Sequence, residues 1–179
     1  MTVIVPADFN QTKQATKAIA ELDGPVYLRF GRPKVPIFVA EDAEFVIGKA
    51  DTIFEGKDVS IIACGHMVYK AIEAAQELAK EGIDAEVINM HTIKPLDVNA
   101  ILATAKKTGC VVTAEEHMIN GGLGDAVAQV LSRNTPTPQE FVGVNDTFGE
   151  SGTPDELMTK YNIDTADVIK AAKKVLTRK

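Results

Sequence analysis

The amino-acid sequence predicts an α/β protein whose sheet is largely parallel and covered by helices, preceded by a partial β-α-β unit. Three observations predict it. From Val59 onward, short apolar runs alternate with stretches of helical spacing. The connections between them are short, the rhythm of strands joined by crossover helices. The first forty residues, in contrast, hold a single strand-helix-strand unit that ends in a proline-containing, acidic break.

In chain order, Val3 to Val5 reads as a strand, and Gln11 to Leu22 as a helix closed by Asp23-Gly24-Pro25. Val26 to Phe30 reads as a second strand. One such unit leaves open edges and half a core. The segment is therefore expected to be the tail of a larger domain or to pack on a partner, the chain beginning mid-fold. Pro33, Pro36 and Glu41-Asp42-Ala43-Glu44 mark a boundary, and Phe45 to Ala50 is expected to be an edge strand or hairpin arm.

Then follow a strand at Val59 to Cys64, a helix at Val68 to Lys80 and a strand at Ala85 to Met90. Val68, Ala71, Ile72, Ala75, Leu78 and Ala79 form that helix's apolar stripe, and Gly82 stops it. Asp97 caps the next helix, which runs to about Lys107 with Val98, Ile101, Leu102 and Ala105 as its stripe. Lys106 and Lys107 suit the negative end of its dipole, and Gly109 ends it. A strand at Cys110 to Ala114, a helix at Leu123 to Arg133 and a strand at Glu140 to Val144 complete the alternation. Thr153-Pro154-Asp155-Glu156 reads as a capping box with proline at the first helical position. Val168, Ile169, Ala172, Val175 and Leu176 are the stripe of a last helix.

Composition narrows the function. The 179 residues are 45% hydrophobic, enough for one good core or a core with a smaller annex. A net charge of -6, dispersed Lys and Arg, and no Trp leave no basic, aromatic-studded stripe, so nucleic acid is not an expected partner. No apolar run approaches the roughly 20 residues of a membrane helix, and Met1-Thr2-Val3 has no charged leader pattern, so cytoplasm is the expected location. Cys64 and Cys110, each in or beside an apolar run, are expected to be buried free thiols, with a disulfide as the lesser alternative.

Ligands of open parallel sheets favour the carboxyl ends of strands, and Cys64, His66, His91, Glu115, Glu116 and His117 are all assigned to such ends. One reading is a divalent-metal or acid/base site made from His66, His91 and Glu116 or His117. The other is a structural or interface role, because no H-x-x-x-H or C-x-x-C pair is present. Gly121-Gly122-Leu123-Gly124 opens a helix as a pyrophosphate-binding turn does, but the third glycine's place falls on Val127. A tight turn that lets the helix approach the sheet closely is the competing reading. Arg29-Phe30-Gly31-Arg32-Pro33 sets two guanidinium groups at a strand end, where they are either phosphate ligands or solvated surface charges.

The motifs taken together carry a resemblance. They are Pro6-Ala7-Asp8, Asp23 through Pro33, Glu55-Gly56-Lys57-Asp58-Val59, Thr92 through Asp97, Glu115-Glu116-His117, Gly121 through Gly124 and Phe148 through Gly152. Over essentially the whole chain, and in order, they resemble the C-terminal part of transketolases. The resemblance implies that residues 37–179 form a three-layer α/β/α sandwich, the transketolase C-terminal domain. Residues 1–36 are then the truncated tail of the pyrimidine-binding domain. It implies an enzyme that moves a two-carbon ketol unit between ketose and aldose phosphates on thiamine diphosphate, with a divalent metal such as magnesium. Cofactor and catalytic residues would lie in the remaining domains or a separate N-terminal subunit, the complete unit being a homodimer. This chain would hold no cofactor, metal or catalytic residue and would not turn over substrate alone. One binding residue carries over: the arginine of the family's Arg-Pro turn, which recognises the substrate's phosphate, falls on Arg32, with Arg29 second. Deoxyxylulose-phosphate synthase and the beta subunit of a 2-oxo acid dehydrogenase share several of these motifs and are the alternatives within the superfamily. A free-standing interaction or regulatory module is the alternative outside it.

Overall fold

Two sheets organise the chain in a computed structural model that describes all 179 residues. The larger has five strands: β3 (Asp51–Phe54), β4 (Val59–Ala63), β5 (Ala85–Asn89), β7 (Val111–Met118) and β8 (Gln139–Val144), in the order β3-β5-β4-β7-β8. All neighbours run parallel except β3, which is antiparallel to β5. β4 and β5 are buried along their whole length, as strands covered on both faces must be, and they are accordingly rich in apolar residues, with Ser60, Glu86 and Asn89 as buried polar exceptions.

The helices divide between the faces. α2 (Met67–Lys80) and α6 (Thr165–Leu176) cover one, packing on Val59, Ile61, Ala63, Val87 and Val112. α3 (Val98–Thr108) and α4 (Leu123–Asn134) cover the other, over Ile62, Cys64, Ile88 and Val111. The expected three-layer sandwich is thus present. Its helix ends follow the sequence: Asp97 accepts from Ala100 N at 3.1 Å, Gly109 takes the left-handed conformation with φ 72°, and Thr153 with Glu156 closes the capping box of α5 (Pro154–Lys160).

The smaller sheet is β1 (Thr2–Ile4), β2 (Val26–Leu28) and β6 (Thr92–Lys94), in the order β2-β1-β6. α1 (Phe9–Ala20) joins β1 to β2, starting two residues before the expected position because Asp8 caps it through Gln11 N. The half-built N-terminal unit therefore borrows a strand. β6, which the sequence analysis did not assign, pairs antiparallel with β1 and closes one of the edges expected to be open. Val5 N donates to the His91 carbonyl at 2.8 Å, and Gly65 N donates to that of Val5 at 3.2 Å. Val5 and Ala7 are buried in the two cores of the sandwich. β1 is thereby the interior strand of this sheet, and β2 and β6 are its edges.

Two expectations about strands need correction. Phe45 to Ala50 is not a strand; the edge strand is Asp51–Phe54. Gly48 sits at φ 84°, which interrupts extended backbone, and Phe45 packs its ring on His91 with centroids 4.3 Å apart instead of facing a sheet. β7 runs four residues past Ala114, so Glu115, Glu116 and His117 lie within it and not beyond its end. The pairing with β8 shifts register between Ala114 and Met118, and this bulge lets polar residues occupy a strand.

Candidate functional site

Gly65, just after β4, donates to the carbonyl of Val5, just after β1, and these residues, Glu116 of β7 and the turn after β2 border one cleft. Two clefts flank that turn. The first, about 600 Å³, lies among Pro6, Phe9, Arg29, Phe30, Ile37 and Cys64. The second, about 540 Å³, is bounded by Arg32, His66, Glu116, His117, Thr147 and Glu150. His66, Glu116 and Pro33 line both.

The two arginines differ. Arg29 is half-buried and its Nη1 donates to the Glu116 carbonyl oxygen at 2.8 Å, tying the turn to β7. Arg32 is exposed and pairs with no carboxylate, while other surface cations such as Lys13 and Lys174 do.

The histidines do not meet at one point. His66 turns its Nδ1 toward Glu116 Oε2 at 3.7 Å. His91 is buried away from both clefts: its Nδ1 pairs with Thr92 Oγ1 at 2.9 Å and its Nε2 lies 3.7 Å from Asp51 Oδ2. Burial pushes its pKa down to about 4. His117 directs Nδ1 to the Met118 carbonyl at 2.8 Å. No three His, Cys, Asp or Glu side chains gather in a metal-holding group, and His91 stands apart from His66, Glu116 and His117, so the structure does not bring the four residues together.

Glu115 decides the glycine turn. Its buried carboxylate accepts from Leu123 N at 2.7 Å and Gly124 N at 2.8 Å, so the positive end of α4 already holds an anion from within the chain. Burial nonetheless drives its pKa upward, against the lowering effect of those two amides. Gly122 has no space for a side chain, because a Cβ there would overlap the Glu115 carboxylate, and a Cβ on Gly124 would meet Phe141 Cδ1 at 2.6 Å. The close-approach reading holds at Gly122 and Gly124, Gly121 being needed for its φ of 81°, and the pyrophosphate reading does not. Cys64 and Cys110 are free and buried, and burial, with Glu115 nearby, pushes the Cys64 thiol up to about 12, which leaves it no thiolate for nucleophilic work.

Sequence reasoning missed the junction beneath the first cleft. Asp8 accepts from Phe38 N and Val39 N, both at 2.8 Å. Gln11 Oε1 accepts from Ala7 N at 2.8 Å and Asn89 Nδ2 at 3.0 Å, and Gln11 Nε2 donates to Asp51 at 3.1 Å. These partners lie up to 78 residues apart, and the only local signal was Pro6-Ala7-Asp8.

Residues 48–168 match the family model described as the transketolase C-terminal domain. The chain belongs to that family. It is 47% identical over 179 residues to a 6-deoxy-6-sulfo-D-fructose transketolase subunit of Clostridium sp. (strain MSTE9), covering 100% of this chain and 56% of the relative. It is 40% identical over 173 residues to an apulose-4-phosphate transketolase subunit of Phocaeicola vulgatus, covering 96% of this chain and 55% of the relative. A solved structure described as "Split gene transketolase, inactive beta4 tetramer" superposes with a TM-score of 0.96 at 50% identity, over 99% of this chain and 58% of that one. The chain thus spans a little over half the length of these curated relatives.

Transketolase-family proteins are thiamine diphosphate-dependent. The residues of this chain do not fit that cofactor: the glycine turn that opens α4 is filled by Glu115, and no group of three His, Cys, Asp or Glu side chains gathers to hold a metal-bound pyrophosphate.

Proposed function

We propose that the chain is the C-terminal part of a transketolase, transferring a two-carbon ketol unit from a ketose phosphate to an aldose phosphate in the cytoplasm. The observation that carries this reading is the superposition, with a TM-score of 0.96 over nearly the whole chain, on a split-gene transketolase. Residues 1–36 are the tail of the pyrimidine-binding domain and 37–179 the C-terminal domain. Thiamine diphosphate, with a divalent metal such as magnesium, belongs to the remaining domains or a separate N-terminal subunit, and the complete unit is a homodimer. The word "inactive" in the neighbour's description supports the expectation that this piece alone does not turn over substrate.

This chain's own part is binding and orientation. Arg32 holds the distal phosphate of the sugar, its planar fork matching two oxygens at once. Arg29, bonded to the Glu116 carbonyl, holds the turn that presents it and is the second candidate for the phosphate. An anchor of this kind reduces the orientational freedom of the sugar at the reacting centre.

Ketol transfer is measured with the chain alone, with the N-terminal partner alone, and with both together. Activity is expected only from the mixture. In the mixture Arg32→Ala should raise KM for phosphorylated acceptors by a factor equivalent to about 1.5 to 3 kcal/mol, the usual worth of a charged hydrogen bond. Turnover by the chain alone contradicts the division of labour; an unaltered KM removes Arg32 from the site.

A further inference from the structure

We propose that His117 supplies a second contact to the distal phosphate, from the C-terminal domain. The proposal rests on the reading that Arg32 binds that group. His117 and Arg32 stand on the walls of one cleft of about 540 Å³ although they come from different parts of the chain. The His117 ring is 43% exposed.

Its Nδ1 lies 2.8 Å from the Met118 carbonyl oxygen, which can only accept, so Nδ1 carries the hydrogen. In the neutral ring Nε2 is then a bare acceptor. The neighbouring carboxylates have other partners. Glu115, whose Oε2 is 3.9 Å from Nδ1, is bound by the two amides of α4, and Glu116 faces His66. Glu150, which lines the same cleft, pairs with Lys160. Arg32 pairs with no carboxylate, and the Nε2 of His117 has no hydrogen-bond partner within the chain.

A phosphate monoester suits this pair. Arg32 takes two of its oxygens, and Nε2 accepts the P–O–H hydrogen of the monoanion or, once protonated, donates to the dianion. The cleft therefore reads a distal group that both accepts and carries a proton, and the C-terminal domain takes part in choosing the substrate.

The test uses the reconstituted complex, comparing kcat/KM for ribose 5-phosphate and for ribose as acceptors. An asparagine amide nitrogen falls where imidazole Nδ1 does, and a glutamine amide where Nε2 does. His117→Asn keeps the Met118 bond and loses the phosphate contact, so the preference for the phosphorylated sugar should fall about three- to tenfold, through KM, the range for one hydrogen bond. His117→Gln should retain most of it. Combined with Arg32→Ala, His117→Asn should cost less than it does alone, because the two residues share one anion. The reverse order of Asn and Gln, or no change in either while Arg32→Ala still lowers the preference, overturns the role of His117 and leaves that of Arg32. No change from Arg32→Ala removes the underlying reading, and this proposal with it.

Discussion

Glu115, Glu116 and His117 follow one another in the chain and meet three different fates. Glu115 is buried under α4, Glu116 offers its carbonyl to Arg29 and its carboxylate to His66, and His117 opens onto the second cleft. Alternation along a strand explains the first separation, and the bulge after Ala114 explains the second. His91 shows what burial does to a titratable ring, its pKa falling from 6.5 to about 4. The unfolded chain takes up a proton near pH 6.5 that the folded chain refuses until about pH 4, so stability is present above 6.5 and lost as the pH falls through this window. Denaturant unfolding at intervals from pH 7 to 4 should show a loss approaching about 1.4 kcal/mol per pH unit that disappears in His91→Gln. Burial raises the pKa of Asp51 and Glu115, which gives slopes of the opposite sign, so wild type minus variant is the quantity that isolates His91. Equal slopes in the two proteins contradict the assignment.

At the scale of elements, the strongest local device is the start of α4. A glycine, a buried carboxylate and two amides replace the usual side-chain cap, and Gly122 at the cap position makes no side-chain bond of its own. Gly122→Ala should cost about 2 to 4 kcal/mol, combining overpacking with damage to two charged hydrogen bonds. Thermal denaturation reads this directly, and a loss below about half a kcal/mol shows that Glu115 moves aside without penalty. A second polar device lies between β4, β5 and α3, where Ser60, Thr104, Thr108 and Lys107 surround the buried Glu86. It lets a carboxylate sit in a strand that is buried from end to end, at the expense of a network that must stay complete.

For the molecule as a whole, the two sheets are one unit on one side and unfinished on the other. β6 and Val5 join the N-terminal sheet to the sandwich, while β2 shows its outer edge and Tyr27, Phe30, Phe9 and Ile37 stay exposed. A paired interior strand resists local opening, and an edge with few buried contacts does not. Amide exchange should therefore be slow along β4 and β5 and fast at Val26–Leu28, with β2 gaining protection once the N-terminal partner is added. Fast exchange that persists in the active mixture places the partner's contact elsewhere.

Apart from its edge strand β3, the sandwich was legible because its elements depend on neighbours in sequence: strands rich in apolar residues, helical stripes, and caps at Asp97, Gly109 and Thr153. The family was legible for a similar reason, since its motifs sit at the turns between those elements. What the linear order did not reveal depends on distance in space. The borrowed strand Thr92–Lys94 needs β1 from about ninety residues earlier, the Asp8-Gln11-Asn89-Asp51 junction joins separate segments, and the glycine turn took its meaning from Glu115. The tertiary structure also separated two arginines that look equivalent in Arg29-Phe30-Gly31-Arg32, one tied to a carbonyl and one free in a cleft. Propensity and periodicity act over a few residues and so can be read along the chain. Burial and pairing arise only when distant segments meet, and they decided which polar groups were spent on the fold and which were left for a ligand.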